Sequence, residues 1–286
     1  ELAKQQYNNF ADQQMVKIYT SGSLLEDREI PIQFQRTVLR ECHEMGKELI
    51  VESRCEQLTE EKLSWATSIN PSFTVAIGLE AYDDEVLRFH VNKGFSTKSW
   101  DKAVENLRKY NLRIKTYLMF KPPFMSEKDA LVHGVKWIKD VASRSDEISV
   151  NPMNIQRGTI IDRLHRHNEY RPPWLWSLVE MIKQAHPHIH PKGGVNGSPD
   201  QVSRLIIHPT AGGKIRGAHN CGSCDKFVVA AIERYAVSGD LKEFDGLSCA
   251  CQTMWREELA LEAALPLPLG ISRPRRGNRI ENLRSL

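Results

Sequence analysis

The chain has none of the short motifs that mark the commonest catalytic scaffolds. No Gly-x-x-x-x-Gly-Lys-Ser/Thr loop is present to cradle phosphates, which argues against a P-loop nucleotidase. There is no His-Glu-x-x-His pair, no Gly-x-Ser-x-Gly elbow, and no Gly-x-Gly-x-x-Gly after a strand. No apolar run approaches the length of a membrane span, and no signal-peptide pattern is visible. No membrane partner is therefore expected. A net charge of only +3 neither demands nor excludes nucleic acid. Six cysteines in 286 residues are too few for a disulfide scaffold. No sequence repeat is evident. The apolar fraction is ordinary, enough for one large domain, or one large and one small.

What is present starts with the cysteines. Cys221-Gly-Ser-Cys224 is followed by Cys249-Ala-Cys251, so four of the six fall into two tight pairs. A Cys-x-x-Cys turn places two thiolates on one side of a loop, and a second pair can close a tetrahedron around a metal. Four thiolates suit a structural zinc ion; an iron–sulfur cluster is the other occupant considered. A dithiol redox pair and buried, inert thiols are the competing readings. His219 precedes the first cysteine closely enough to replace a ligand, or to serve beside the metal or substrate. Metal-like pairs fit a reducing cytoplasm.

Along the chain, strands alternate with helices. Strands are expected at Val16–Tyr19, Leu49–Glu52, Phe73–Leu79, Leu112–Met119 and Glu147–Asn151. Helices are expected near Pro31–Met45, Thr59–Ile69, Asp83–His90, Ser96–Tyr110, Ser126–Arg144, Ile160–His167, Trp174–Ala185 and Lys226–Tyr235. This alternation predicts parallel βαβ units, hence an α/β fold. Residues 186–218 read as irregular. His186, His188 and His190 would share one face of a strand, but their flanking prolines favour a connector. Polar and special residues follow every strand: Thr20-Ser21-Gly22-Ser23, Glu52-Ser53-Arg54, Gly78-Leu79-Glu80, Lys121-Pro122-Pro123 and Asn151-Pro152-Met153-Asn154. In a parallel barrel the strand C-termini form the active face. Hydroxyls, acids, amides and backbone N–H groups together suit a zwitterionic ligand carrying a ribose. Glu52 or Glu80 would accept from an ammonium or from ribose hydroxyls, and Arg54 or Lys121 would pair with a carboxylate. S-adenosylmethionine has all of these groups. Tyr170, Arg171, Trp174 and Trp176 would either stack on RNA bases or pack in a core.

Specific stretches carry a family resemblance. Lys17–Pro31, with its Thr20-Ser-Gly-Ser23, resembles the second-strand region of radical S-adenosylmethionine enzymes, where that superfamily contacts the methionyl amino group. Ile77-Gly-Leu-Glu80, Asp83–Leu87 and Asn92-Lys-Gly-Phe95 resemble the branch of the Elongator catalytic subunit and coproporphyrinogen oxidase. Lys115–Glu127, Asn151–Thr159, Glu169–Ser177 and His219–Asp225, with the later Cys-x-Cys, are similar to the archaeosine-biosynthesis radical S-adenosylmethionine family of archaea. The resemblance runs from about residue 1 to about residue 256. It implies a [4Fe–4S] cluster and S-adenosylmethionine as cofactors. It also implies tRNA and the lysine-transferring subunit of archaeosine synthase as partners. The implied reaction is a lyase cleavage of a lysine-adducted 7-deazaguanine in the tRNA D-loop, giving archaeosine. The implied cofactor or substrate contacts are Thr20, Ser21, Gly22, Ser23, Glu52, Arg54, Gly78, Glu80, Lys121, Asn151, Asn154 and Gln156. No catalytic acid or base is identifiable.

One departure bears on activity. The Cys-x-x-x-Cys-x-x-Cys triplet of such enzymes is absent, and Cys42 and Cys55 are isolated. The first barrel strand is missing as well, and residues 1–10 read as a helix without a cap before it. The expectation is that the cluster ligands lie upstream of residue 1 and that the piece as given is inactive. Cys55 stands where proline is expected. The expected organisation is a partial parallel (βα)6-type barrel lacking its first strand over 1–185, a connector over 186–218, a small Cys-rich metal module over 219–256 and a disordered tail over 257–286. Two alternatives remain. One is another radical enzyme acting on RNA or a small molecule. The other is a non-catalytic, zinc-bearing tRNA-binding subunit.

Overall fold

In the computed structural model, six strands form one sheet in sequence order, β1 to β6. The residues described are 13–19, 22–189 and 203–264. The strands are β1 (Met15–Ile18), β2 (Glu48–Glu52), β3 (Thr74–Glu80), β4 (Arg113–Phe120), β5 (Glu147–Pro152) and β6 (Arg204–Ile207). The helices are α1 (Ile32–Glu44), α2 (Glu60–Ile69), α3 (Asp84–Val86), α4 (Thr97–Lys109), α5 (Glu127–Ala142), α6 (Ile160–Arg166), α7 (Leu175–Ile189), α8 (Asp225–Ser238) and α9 (Cys251–Ala264). β1 pairs with β2, β2 with β3 and β5 with β6, all in parallel. Leu49–Val51 of β2 and Thr74–Ile77 of β3 are continuous buried runs. Such runs are what parallel strands covered on both faces require.

The chain divides into two compact units. The first holds residues up to Gly78 together with Thr97–Thr116. In it, Thr59 caps α2 by accepting the Lys62 amide. Buried side-chain amides close gaps between elements: Asn70 donates to the Leu39 carbonyl at 3.2 Å and Asn106 to that of Leu58 at 2.9 Å.

The second unit holds Leu79–Ser96 and everything from Tyr117 onward. Here α5 packs on α7, and Gly134 allows the close approach. A Cβ at that position would lie 3.1 Å from both Met181 Sδ and the Phe120 ring. The N-terminus of α5 is tied down twice. Ser126 accepts the Asp129 amide at 3.0 Å, and the Glu262 carboxylate accepts the Glu127 and Lys128 amides at 3.2 and 2.8 Å. A carboxylate at a helix N-terminus satisfies orphan donors and the macrodipole together. Inside the same turn, Glu127 is fully buried. It pairs with Lys121 Nζ at 2.7 Å and accepts the Trp174 amide at 2.8 Å.

The structure corrects three readings. The stretch 186–218, expected to be irregular, begins inside α7 and later contains β6, which pairs Glu147↔Arg204 through Val150↔Ile207. The sheet therefore has six strands in this chain where five were expected. His186 and His188 lie on helix α7, not on one face of a strand, so alternation does not align them; His190 lies outside the described residues. The tail expected to be disordered from residue 257 is helix α9 up to Ala264, and residues 265–286 lie outside the described part. α9 is held by Glu262 and by Glu258, which accepts Trp174 Nε1 at 2.8 Å. The expected uncapped helix over 1–10 also lies outside the described residues.

Glu127→Gln strands the Lys121 ammonium in a buried site. Breaking one partner of such a pair costs about 3–5 kcal/mol. Denaturant melts should show a loss of that order, whereas Lys136→Ala, which breaks an exposed pair with Asp140, should cost under about 1 kcal/mol.

Candidate metal centre and strand-end sites

The four paired cysteines converge. Their sulfur atoms all lie within 4.8 Å of one another. Cys221–Cys224 sulfurs are 3.9 Å apart, and Cys221–Cys249 and Cys224–Cys251 are each 3.7 Å apart. A metal–sulfur bond of about 2.3 Å gives a tetrahedron whose edge is about 3.8 Å. The donor set therefore fits one tetrahedral ion.

Local sequence explains the convergence. Gly222 takes a left-handed φ of +90°, which turns the Cys-Gly-Ser-Cys loop back on itself. Asp225 Oδ2 accepts the Gly222 amide at 2.7 Å and its Oδ1 the Asn220 amide at 2.9 Å, bracing that loop. Cys224 stands immediately before α8, and Cys251 opens α9. Asn220 Nδ2 points at Cys224 Sγ at 3.3 Å, and Trp176 Nε1 at Cys251 Sγ at 3.2 Å. Such donors stabilise thiolate charge beside a metal. The Ser223 and Cys224 amides lower the exposed Cys221 thiol to about 6, while burial pushes Cys251 up. His219 is not grouped with the cysteines: its Nδ1 meets the Gly217 carbonyl at 2.8 Å, and burial lowers the ring's pKa from its ordinary value.

At the strand ends of the first unit, the Gly22-Ser23 loop and the Glu52-Ser53-Arg54 loop are stitched together. The Leu24 amide donates to the Glu52 carbonyl at 3.0 Å, and the Arg54 amide to Ser23 Oγ at 2.7 Å. The Ser23 hydroxyl is thus turned inward and fully buried. What the loop offers instead is backbone. The Ser23 amide donates to Glu29 Oε2 at 2.8 Å, and a Cβ at Gly22 would collide with that carboxylate at 1.6 Å. This loop already cradles a carboxylate, the group a methionyl moiety carries. Arg54 pairs at the surface with Glu56 at 2.8 Å. Thr20 and Ser21 lie outside the described residues. Gly78 is within β3.

In the second unit, Glu80 ends β3 in a left-handed conformation, φ +72°, and pairs with Lys93 at 2.9 Å. A non-glycine residue held there costs about 1–3 kcal/mol and recurs at functional sites. Asn154 Oδ1 accepts Gln156 Nε2 at 2.6 Å, and the Met153 amide reaches the Phe120 carbonyl at 3.0 Å, placing the loop after Asn151 beside the end of β4. Lys121 is held in an internal pair. Its charge is consumed by Glu127, and its carbonyl accepts the Tyr170 hydroxyl at 2.7 Å. The aromatic run is core, not a stacking platform: Tyr170, Trp174 and Trp176 are all buried. Sequence reasoning missed Glu29, Lys93, Glu127 and Asn220, whose partners are distant or offset along the chain without a motif spacing. Asp225 alone had a signal, as the acid directly after Cys-x-x-Cys.

X-ray absorption on the purified chain should show one metal per chain with four sulfur neighbours at about 2.3 Å. Cys251→Ser should lose the ion and lower the melting temperature, since metal binding energy is folding energy. A depressed thiol is a thiolate above its pKa and protonated below it. Binding to four sulfurs must displace protons from the raised Cys224 and Cys251 thiols as well as from Cys221, so metal uptake by the stripped chain should weaken steadily as pH falls.

No family model matches the chain. Curated relatives do. Over 255 residues it is 34% identical to archaeosine synthase subunit beta of Methanosarcina acetivorans, covering 87% of this chain and 70% of the relative. Over 245 residues it is 34% identical to the protein of the same name from Thermococcus kodakarensis, covering 84% and 72%. Among solved structures, the archaeal Methanocaldococcus infernus Elp3 with an N-terminal deletion matches with a TM-score of 0.58 at 17% identity, over 86% of this chain and 58% of that one. That likeness concerns the fold, the partial parallel α/β barrel of the radical S-adenosylmethionine type. Identity at this level over most of both chains settles the grouping: the chain belongs to the archaeosine synthase subunit beta family.

Proposed function

We propose that the complete protein is the radical S-adenosylmethionine lyase of archaeosine synthesis. Its substrate is tRNA whose D-loop 7-deazaguanine carries a lysine adduct, delivered by the lysine-transferring subunit. A carbon–nitrogen bond of the adduct is cleaved, leaving the formamidine of archaeosine. The observation that carries this reading is the 34% identity to proteins named archaeosine synthase subunit beta over 87% of the chain. The Elp3-like fold supports the radical class.

The residues divide the work. The Gly22–Ser23 backbone, with Thr20, Ser21, Glu52 and Arg54, is assigned to the amino-acid end of S-adenosylmethionine, which fits the carboxylate already cradled there. Glu80, Asn151, Asn154 and Gln156 are assigned to ribose or substrate contacts. The six cysteines hold no set that fits a [4Fe–4S] cluster. Cys42 and Cys55 are separately buried, and the other four are spaced for a single ion. No cysteine of this chain is assigned to that cluster. When bound, cluster and S-adenosylmethionine supply the radical chemistry; this chain supplies binding and orientation. A cytoplasmic site of action fits these partners.

Anaerobic incubation of the complete protein with its partner subunit, S-adenosylmethionine and lysine-adducted tRNA should yield archaeosine by nucleoside mass analysis. Glu80→Gln should lower the rate at least about tenfold with an unchanged melt, because it removes a charge-assisted contact worth roughly 1.5–3 kcal/mol. A second reading, a zinc-bearing tRNA-binding subunit, is favoured by the single-ion spacing of the thiols. Binding of tRNA and one zinc, with no iron uptake by the complete polypeptide, would establish it in place of the lyase.

A further inference from the structure

The net charge of +3 is unevenly distributed. Residues 155–168 and 211–218 carry five cations, Arg157, Arg163, Arg166, Lys214 and Arg216, against one acid, Asp162. Their local net charge of +4 exceeds that of the whole chain, so the rest of the chain is net negative.

These two segments are one built surface. The Ile155 amide donates to the Arg216 carbonyl at 2.8 Å, and Arg216 Nε returns to the Ile155 carbonyl at 3.1 Å. Asp162 is buried at the join. It accepts Arg216 Nη2 at 2.7 Å, Arg166 Nη2 at 2.5 Å and the Gly158 amide at 3.1 Å. Arg216 and the Gly158 amide hold its carboxyl down at about 2. The one acid is therefore already neutralised and withdrawn from solvent. On α6, Ile161 and Leu164 face the core, while Arg163 and Arg166 lie on the exposed side. Arg157 and Lys214 are exposed too, and the side chains of Arg157, Arg163 and Lys214 make no ion pair among the described residues. Structural reasons for keeping these charges are missing: an arginine paired with nothing contributes little to stability.

We propose that this surface binds the phosphodiester backbone of the substrate RNA. Four of its five cations are arginines, whose planar fork matches phosphate oxygens and is always charged. The surface adjoins the candidate site in sequence and space, since Arg157 directly follows Gln156 in the loop after β5. The identification of the polyanion as RNA rests on the proposed function; the existence of a polyanion-binding face rests on the charges and the clasp.

The test is tRNA binding by the metal-loaded chain, by fluorescence anisotropy from 50 to 300 mM salt. The variant Arg157→Ala/Arg163→Ala/Lys214→Ala spares the Asp162 clasp. It should bind about 10–100-fold more weakly, with a salt slope shallower by about 2, because each lost phosphate contact releases roughly 0.7–0.9 fewer counterions. The control Lys98→Ala/Lys102→Ala/Arg113→Ala removes equal charge elsewhere and should change affinity less than about twofold. Both should melt like the parent. Unchanged binding by the first variant overturns the proposal, as does failure of the parent chain to bind tRNA. Retained RNA binding with lost capture of the lysine-transferring subunit also overturns it, making the face a protein interface. None of these results decides the proposed reaction, which nucleoside analysis reads separately.

Discussion

Four sulfur atoms within 4.8 Å of one another sit where the helices of the C-terminal part of this protein begin. Cys224 leads into α8 and Cys251 starts α9, so one ion would fix where both helices begin. From that anchor α9 reaches back at successive turns. Trp255 Nε1 donates to Ser177 Oγ at 2.8 Å, Glu258 receives Trp174 Nε1, and Glu262 caps α5. The first turn of α5 in turn carries Glu127, which holds Lys121 just past β4. The metal centre is thus linked by direct contacts to the strand end that abuts the Asn151 loop. Each link uses a charged or polar group that is costly to leave unpaired once buried.

The strand ends show a second pattern. Glu80 and Lys121 both take left-handed backbone conformations immediately at the ends of β3 and β4. The two differ in what their side chains do. Lys121 is buried in an internal pair, whereas Glu80 meets Lys93 with both side chains partly exposed. Glu80 thus keeps a partly exposed carboxylate beside Lys93, while Lys121 is committed to Glu127. Residue type alone did not separate these roles.

Much of the fold was legible because parallel strands announce themselves. The apolar run of β2 and the β-branched run of β3 have no polar face to confuse them. In the structure Thr59, Ser126 and Thr159 accept amides of the first turns of α2, α5 and α6. β6 escaped because Arg-Leu-Ile-Ile is four residues long and its identity comes from pairing with β5. α9 escaped because only Cys251 and Trp255 of its fourteen residues are buried. It has no apolar stripe to read, being held by two glutamates and by Cys251 of the cysteine quartet. The cysteine quartet was fully legible from spacing. The inward turn of Ser23 and the internal pairing of Lys121 were not, since both depend on partners at separations that no motif encodes.

The account stands or falls on the coupling of the metal centre to α5. Hydrogen exchange measured by mass spectrometry, with the metal bound and after chelation, reads that coupling directly. The account predicts that removing the ion raises exchange together in residues 219–225, in α9 and at the first turn of α5, where Glu262 caps the Glu127 and Lys128 amides. Helices α1 and α2 should keep their protection. Exchange that rises only in the cysteine loops, with α9 and the start of α5 unchanged, would contradict it.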